Sequence, residues 1–597
     1  MVAARLRDYV PHVRIAGRLL LNLLRFAFAP LWVVARFVSR PRSPWLFLKV
    51  RPRIVELGRP LPVLARFLPW LGERTPTALH TLRRFAGHVA RDAAVRGVVV
   101  QLPPLAAGWA MATGLREVLL GLRAAGKEVV VYLPQGGGHK ELYVACAGDR
   151  IVLSPQGSLS LLGLAAEVQY WKPLLDKIGL SVEVFARAEY KTAVEPFARD
   201  AMTEPQREQT TALLATIDRH LRGALAARPK IGEAGVAALF EQGAFTGQSA
   251  IDAGLADALA YDDQLPDLLR GADEGAKAPR LGGGAHYFRW KESRLFRRVF
   301  PRPYIAVVEV HGAIGLGTES GPLASRGASL EPLVANLRAA RSDRRAVGVV
   351  LHIDSPGGSA LVSDLVHREV VRLAEKKPVV ACFANVAASG GYYVAAPAHA
   401  IIAQPVTITG SIGVISAKLV ATGLLEKLHV RTETIRTAPH ADMYSSTRAL
   451  DADERAILER ETEQFYRGFV DIVAAGRKRD AAEVEPLARG RVWSGEDAQT
   501  RGLVDRLGGF DVALEEVRKR LPEKLRALLE PALVRANGPL PPAEPPSASR
   551  MVPAALQGVA QLAELVQSLA PEALELAALS KGGERVFYYA AELPRVG

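Results

Sequence analysis

The chain contains itself twice. Laying Tyr393-Val394-Ala395 over Tyr143-Val144-Ala145 takes a shift of 250 residues, and the same shift puts Pro405 on Pro155 and Gly413 on Gly163. Further on, Ser494-Gly495-x-x-Ala498-x-x-x-Gly502-Leu503-x-Asp505 repeats Thr246-Gly247-x-x-Ala250-x-x-x-Gly254-Leu255-x-Asp257 at a shift of 248. Val55-Glu56-Leu57 and Val308-Glu309-Val310 read as matching openings. A duplicated unit of this length implies one fold built twice. The copies are not equivalent, however. The second exposes Ser389 in Ala387-Ala388-Ser389-Gly390-Gly391-Tyr392-Tyr393, whereas the matching stretch around Gly138 and His139 has no serine. The first carries Tyr190-Lys191-Thr192-Ala193-Val194-Glu195-Pro196, whose counterpart near Thr437 to Ala441 has no lysine. One serine and one lysine, divided between the copies, point to a shared active site.

Short Val/Ile runs such as Gly97 to Val100 and Gly348 to Leu351 read as buried parallel strands. Helical stretches follow (Leu115 to Arg123, Ser363 to Glu375), then further strands (Glu128 to Tyr132, Pro378 to Phe383). This β-α-β alternation gives an α/β protein with parallel pairing. The expected layout is a basic helix in residues 1–45, an N-terminal repeat over 46–285 and a C-terminal repeat over 286–535. A polar connector at Gly271 to Ala285 joins the repeats. A Pro- and Ser-rich linker follows at 536–550, then a tail at 551–597 with a helix from Ala554 to Leu579 and a strand from Arg585 to Tyr589, to which the residues assign no role.

The net charge of +14 suggests nucleic acid until it is located. Residues 1–53 hold ten arginines and Lys49 against Asp8, so that segment alone carries +10. A basic, apolar N-terminus favours a membrane surface over nucleic acid. Within residues 12–39, Arg14, Arg18, Asn22, Arg25 and Arg36 fall within about 80° of one another on a helical wheel. Ile15, Leu19, Leu20, Leu23, Leu24, Phe26 and Val33 lie opposite. The longest charge-free run, Phe26 to Ala35, is about half of the roughly 20 residues a spanning helix wants. The pattern therefore reads better as an in-plane amphipathic helix than as a spanning one, with a span, a signal peptide cleaved near Ala27-Phe28-Ala29 and packing against its own protein as the alternatives. Two cysteines, Cys146 and Cys382, form no zinc or disulfide framework and read as buried small hydrophobes.

Three segments carry chemistry. Ser389 follows a strand among small residues, near the positive end of a helix starting at Gly391. Taken alone, a serine there is first a helix cap. Asp354-Ser355-Pro356-Gly357-Gly358-Ser359 follows a strand end, where Gly357 and Gly358 can offer N–H groups to an oxyanion. As a lone motif it is first a turn. Lys191, with Ala193, Val194 and Phe197 nearby, is a candidate base, which requires desolvation to lower its pKa. On its own it reads as a surface lysine. His352 and His399 could complete a histidine triad, though neither has an assigned partner. There is no Gly-x-Ser-x-Gly elbow, His-Glu-x-x-His helix or Walker A loop.

Together, Asp354-Ser355-Pro356-Gly357-Gly358, Ala388-Ser389-Gly390-Gly391-Tyr392-Tyr393, Thr409-Gly410-Ser411-Ile412-Gly413 and Tyr190-Lys191-x-Ala193-Val194-Glu195-Pro196-Phe197 closely resemble the bacterial signal peptide peptidase A (protease IV) family in its long two-repeat form. The resemblance covers about residues 50 to 520. It implies a tandem Clp-protease/crotonase-like fold and a Ser-Lys dyad endopeptidase, with Ser389 as nucleophile and Lys191 as base. Ser411 would orient the lysine, and Gly357 and Gly358 would form the oxyanion hole, Gly358 through its N–H. It further implies no metal or cofactor, and a homotetramer that digests signal-peptide remnants on the outer face of the bacterial cytoplasmic membrane. The rivals are a crotonase-like acyl-CoA enzyme and a non-catalytic membrane scaffold.

Overall fold

The computed structural model describes residues 19–58, 75–270, 277–296, 299–300, 302–317, 327–526 and 529–534, together with the backbone of 587–589. The linker at 536–550 and the helix expected at 554–579 lie outside the described residues. The chain forms two compact units. One comprises residues 1–163 with 219–303, the other residues 164–218 with 304–597. The Lys191 segment thus belongs to the same unit as Ser389.

The first unit is built on a parallel sheet. Its order is Ala258–Leu259, Arg150–Leu153, Glu128–Leu133, Gly97–Gln101, Trp45–Lys49 and Leu281–Gly283. Val98, Val99 and Val100 are buried, as a β-branched run covered on both faces should be. The helix expected near Leu115 runs over Trp109–Ala124, and its Leu115, Leu119 and Leu122 are buried.

In the second unit we number strands in chain order: β1 (Ser181–Arg187), β2 (Tyr304–His311), β3 (Ala346–Ser355), β4 (Gly357–Ser359), β5 (Val379–Ala388), β6 (Ala400–Ala403), β7 (Ile408–Gly410), β8 (Val414–Val420), β9 (Val492–Ser494), β10 (Arg506–Leu507), β11 (Pro531–Leu533) and β12 (Phe587–Tyr589). One eight-stranded sheet contains the parallel run β10-β6-β5-β3-β2-β11, which repeats the first unit's order strand for strand, and adds β7 beside β5 and β9 antiparallel to β7. The α/β class and the duplication are therefore as the sequence indicates. A second sheet runs Ala328–Ser329, Ile314–Gly315, β4, β12, β8, β1.

Some details differ from expectation. The strand equivalent to Val308 is Trp45–Lys49, which pairs with Gly97–Gln101 as β2 pairs with β3. Val55 lies instead in a two-residue strand with Thr77–Ala78. Similar local sequence misled here because register comes from pairing. Leu281–Gly283, read as connector, is a strand. Leu-Gly-Gly has no periodicity of its own, and its pairing with Trp45 to Phe47 supplies the structure. Cys146 and Cys382 are buried free thiols, as expected.

The N-terminal segment is two helical pieces, Leu19–Ala27 and Ala29–Val38, meeting at 71°, rather than one helix over 12–39. Pro30 stands in the first turn of the second piece, where its missing N–H is tolerated but cannot continue the preceding helix. Among the described residues no single helix is long and apolar enough to cross a membrane. Arg36 donates to the carbonyls of Trp290 (3.0 Å) and Ser293 (2.9 Å), and its guanidinium stacks between Trp32 and Trp290. Arg25 reaches Leu295 O at 3.3 Å. The arginines therefore hold the helices to their own unit, while Leu20, Leu23, Leu24, Phe26, Leu31, Val34 and Phe37 face outward.

Candidate functional site

Ser389 sits between β5 and the helix Gly390–Ala395. Its backbone, at φ +53° and ψ −119°, is in a region that non-glycine residues rarely visit. The Ser389 N–H donates to Gly410 O (2.8 Å), and its carbonyl accepts from Tyr393 N (2.9 Å), which fixes the elbow from both sides. Two glycines must come next. A Cβ on Gly390 would fall 2.5 Å from Ser363 Oγ, and one on Gly391 would fall 2.8 Å from Ser355 O. The Ser389 side chain makes no capping hydrogen bond. Its hydroxyl instead accepts from Lys191 Nζ at 2.8 Å.

Lys191 is 4% exposed, not the solvated lysine that its sequence alone would suggest. Nζ also donates to Ser411 O and Ser411 Oγ, both at 2.9 Å, so its three donor directions are filled by neutral oxygens. Burial without a compensating carboxylate holds the ammonium well below the usual lysine range.

The lysine is placed from far along the chain. Tyr190 N donates to Arg489 O (3.1 Å), Gly490 N to Ile412 O (2.8 Å) and Ser411 N to Arg491 O (2.7 Å). Gln209 donates to Thr192 Oγ1 (2.8 Å) and accepts from Val492 N (3.2 Å). Gly490 has φ +73°, and a Cβ there would lie 2.6 Å from the Lys191 backbone N and from Lys191 Cβ. No motif or spacing marks this loop in the sequence. Gly490→Ala should push Lys191 away from Ser389 and lower kcat by ~10²-fold, a loss typical of an ångström's misplacement. Steady-state kinetics alongside a thermal melt checks it.

Gly357 and Gly358 are buried in β4 with φ +110° and +146°. Gly357 N–H donates to Ser355 Oγ at 3.2 Å. The Cβ position of Gly390 lies 3.4 Å from Gly358 N, so the first residue of the helix after Ser389 and the second glycine of β4 border the same space. The sequence assigns no role of its own to Gly390 or to the buried Ser363. β12 lies antiparallel between β4 and β8, opposite Gly357, Gly358 and Ser359 on one side and Ile415 on the other. An extended backbone therefore pairs beside these glycines.

The histidines sit elsewhere. His399 Nδ1 accepts from Val379 N (3.1 Å), and His352 Nδ1 meets His311 Nε2 at 2.8 Å. One group of described residues, His440, Asp451 and Glu454, has metal-compatible spacing. There Arg448 already donates to both Glu454 oxygens (2.6 and 2.7 Å) and to Asp442 (2.8 and 2.9 Å), so the Glu454 carboxylate is already paired with a cation.

Residues 121–274 and 371–523 each match peptidase family S49, a spacing that reproduces the 250-residue duplication. The chain is 32% identical over 440 residues to a chloroplastic serine protease SPPA of Arabidopsis thaliana, covering 72% of this chain and 64% of that one. It is 33% identical over 408 residues to protease 4 of Salmonella typhi, covering 67% and 64%. A putative signal peptide peptidase SppA of Enterococcus faecium is 34% identical over 216 residues, covering 36% and 63%. The chain thus aligns with just under two thirds of these relatives' lengths. A solved membrane-bound stomatin-specific protease overlays 41% of this chain at 15% identity and a TM-score of 0.26, too loose an overlay to bear on the site.

Proposed function

The chain belongs to peptidase family S49, and we propose that it is a serine endopeptidase working through a Ser389–Lys191 dyad. The observation that carries this reading is the 2.8 Å hydrogen bond from a buried lysine, whose pKa is lowered by desolvation, to a serine hydroxyl on a strained elbow. Neutral Lys191 takes the proton from Ser389 Oγ as it attacks the peptide carbonyl. Gly358 N–H, with Gly390 N–H at the helix start, meets the oxyanion, while Gly357 shapes the loop through its bond to Ser355. The Lys191 ammonium then protonates the leaving amine. A water deprotonated by the same lysine hydrolyses the acyl-enzyme, and Ser411 holds Nζ throughout.

The substrates are extended, apolar peptides, including signal-peptide remnants. Support comes from the position between β4 and β8, where β12 pairs as an extended strand and which a substrate would take in its place, and from exposed Leu361 and Leu365 on the helix that follows β4. No cofactor or metal enters this scheme. The protein acts as a homotetramer at the outer face of a bacterial cytoplasmic membrane, a reading that rests on the family resemblance of its motifs. The outward apolar faces of Leu19–Ala27 and Ala29–Val38 support lipid contact. Leu23→Glu with Phe26→Glu should release the full chain from anionic vesicles in a flotation assay while leaving peptide turnover in detergent unchanged. Co-flotation equal to wild type would remove the lipid role. The central test is hydrolysis of a fluorogenic apolar peptide by the detergent-purified full chain. Turnover that is blocked by a serine-reactive fluorophosphonate supports the reading, and absence of turnover and of labelling at Ser389 overturns it.

A further inference from the structure

We propose that Asp354 is a positioning residue for the reaction: its carboxylate plugs a bulge in β5 and thereby sets where Ser389 sits relative to the β4 glycines. This inference rests on the peptidase reading. β3 and β5 pair in register from Val349↔Val379 to Ile353↔Phe383, and the next pair is Ser355↔Ala387. Two steps along β3 are therefore matched by four along β5, so Ala384, Asn385 and Val386 all face Asp354. A bulge bends the strand that carries it and re-aims the residues beyond it.

One side chain fills this bulge. Asp354 Oδ2 accepts from Asn385 Nδ2 (2.9 Å), and Oδ1 accepts from Val386 N (3.1 Å), a backbone donor that the broken ladder leaves without its usual partner. At the same point β5 changes neighbours, pairing with β6 up to Phe383↔Ala403 and with β7 from Val386↔Ile408 onward. Thr407 Oγ1 donates to Ala384 O and Thr409 Oγ1 to Ala387 O, both at 2.7 Å, which braces the bulge from the other side. Ser389 is three residues beyond Val386, and Gly357 is three residues beyond Asp354. One carboxylate thus joins β5, which leads to the nucleophile, to β3, which leads into the β4 glycines. Gly312 N, donating to Asp354 O (2.9 Å), fixes the backbone of Asp354 in turn.

Asp354→Ala removes both acceptors, and Asp354→Asn keeps one. The Asn carbonyl can still take the Val386 N–H, and Asn385 can turn its amide to offer oxygen to the new NH₂. With the full-length enzyme and the fluorogenic peptide, Asp354→Ala should lower kcat by at least ~10-fold with KM within about 3-fold of wild type, and Asp354→Asn should restore kcat to within about 3-fold. Fluorophosphonate labelling of Ser389 should slow in parallel. Equal turnover in Asp354→Ala and wild type overturns the proposal, as does an Asp354→Asn loss as large as that of alanine, or a loss confined to KM. Should Asp354→Ala not fold, Asn385→Ala decides. It removes the Asn385 side-chain bond while keeping the backbone ones from Asn385 and Val386, and should lower kcat several-fold; an unchanged kcat there overturns the proposal. Wild-type turnover in the same experiment separates failure of this inference from failure of the peptidase reading.

Discussion

Lys191→Met should bring peptide turnover down by roughly 10⁴-fold, about as far as Ser389→Ala, and the double variant should be little worse than either. The three results belong together because a nucleophile and its base act as one unit, and removing either removes the attack. The 2.8 Å bond between them and the neutral surroundings of Nζ motivate the expectation. Turnover of wild type should rise with pH through a pKa set below the ordinary lysine range, since only the neutral amine accepts the serine proton. Stability should move with it. Over the interval between the lowered pKa of folded Lys191 and the ordinary value of about 10.4, the unfolded chain binds a proton that the folded chain does not. Wild-type stability therefore rises with pH across that window. Methionine has no such proton, so the stability gained in Lys191→Met should grow as pH falls from about 10.4 and level off once folded Lys191 is itself protonated. Denaturant unfolding across pH measures this. An inactive variant whose stability gain over wild type is no larger at neutral pH than at pH 10 would mean that Lys191 is not held neutral.

Gly358→Ala should be the next most damaging change. At φ +146° a Cβ would lie 2.1 Å from Ile314 O and 2.7 Å from Ile314 N, both backbone atoms of the neighbouring strand, so β4 itself has to shift. The shift takes the Gly358 N–H off the developing oxyanion. The expected loss in kcat is ~10²- to 10³-fold, the range for removing one oxyanion donor. Backbone strain adds a stability loss of ~1–3 kcal/mol. Gly315 makes a fair control. It lies in the same sheet, and a Cβ there meets nothing within 4 Å, so Gly315→Ala should keep near-wild-type kcat. A Gly358→Ala enzyme with normal kcat would falsify the assignment of this glycine as donor.

Much of this was legible in the residues. Valine runs marked the strands because burial on both faces selects β-branched side chains, and Val98 to Val100 and Val349 to Leu351 are buried accordingly. The 250-residue self-similarity revealed the duplication, and the asymmetry between copies singled out Ser389 and Lys191, which the fold brings within 2.8 Å of each other. What failed was local. Val55 resembled Val308, yet the strand equivalent to Val308 is Trp45–Lys49, because strand equivalence depends on neighbours. The helix over 12–39 divided near Phe28 because Pro30 supplies no N–H.

Strand propensity, periodicity and residue chemistry are local properties. They were enough to establish that two α/β repeats form, and that a serine among glycines and a lysine among apolar residues stand in different copies. The contacts and burial of those side chains came from the folded chain alone. Ser389 could have been a cap, and becomes a hydrogen-bond acceptor for lysine because Gly410 O and Tyr393 N hold its backbone at positive φ. Lys191 could have been solvated, and is desolvated because Gly490, Arg491 and Ser411, all more than two hundred residues away, close over it. Burial depends on what the rest of the chain brings to a residue, and no window of sequence around Lys191 contains that.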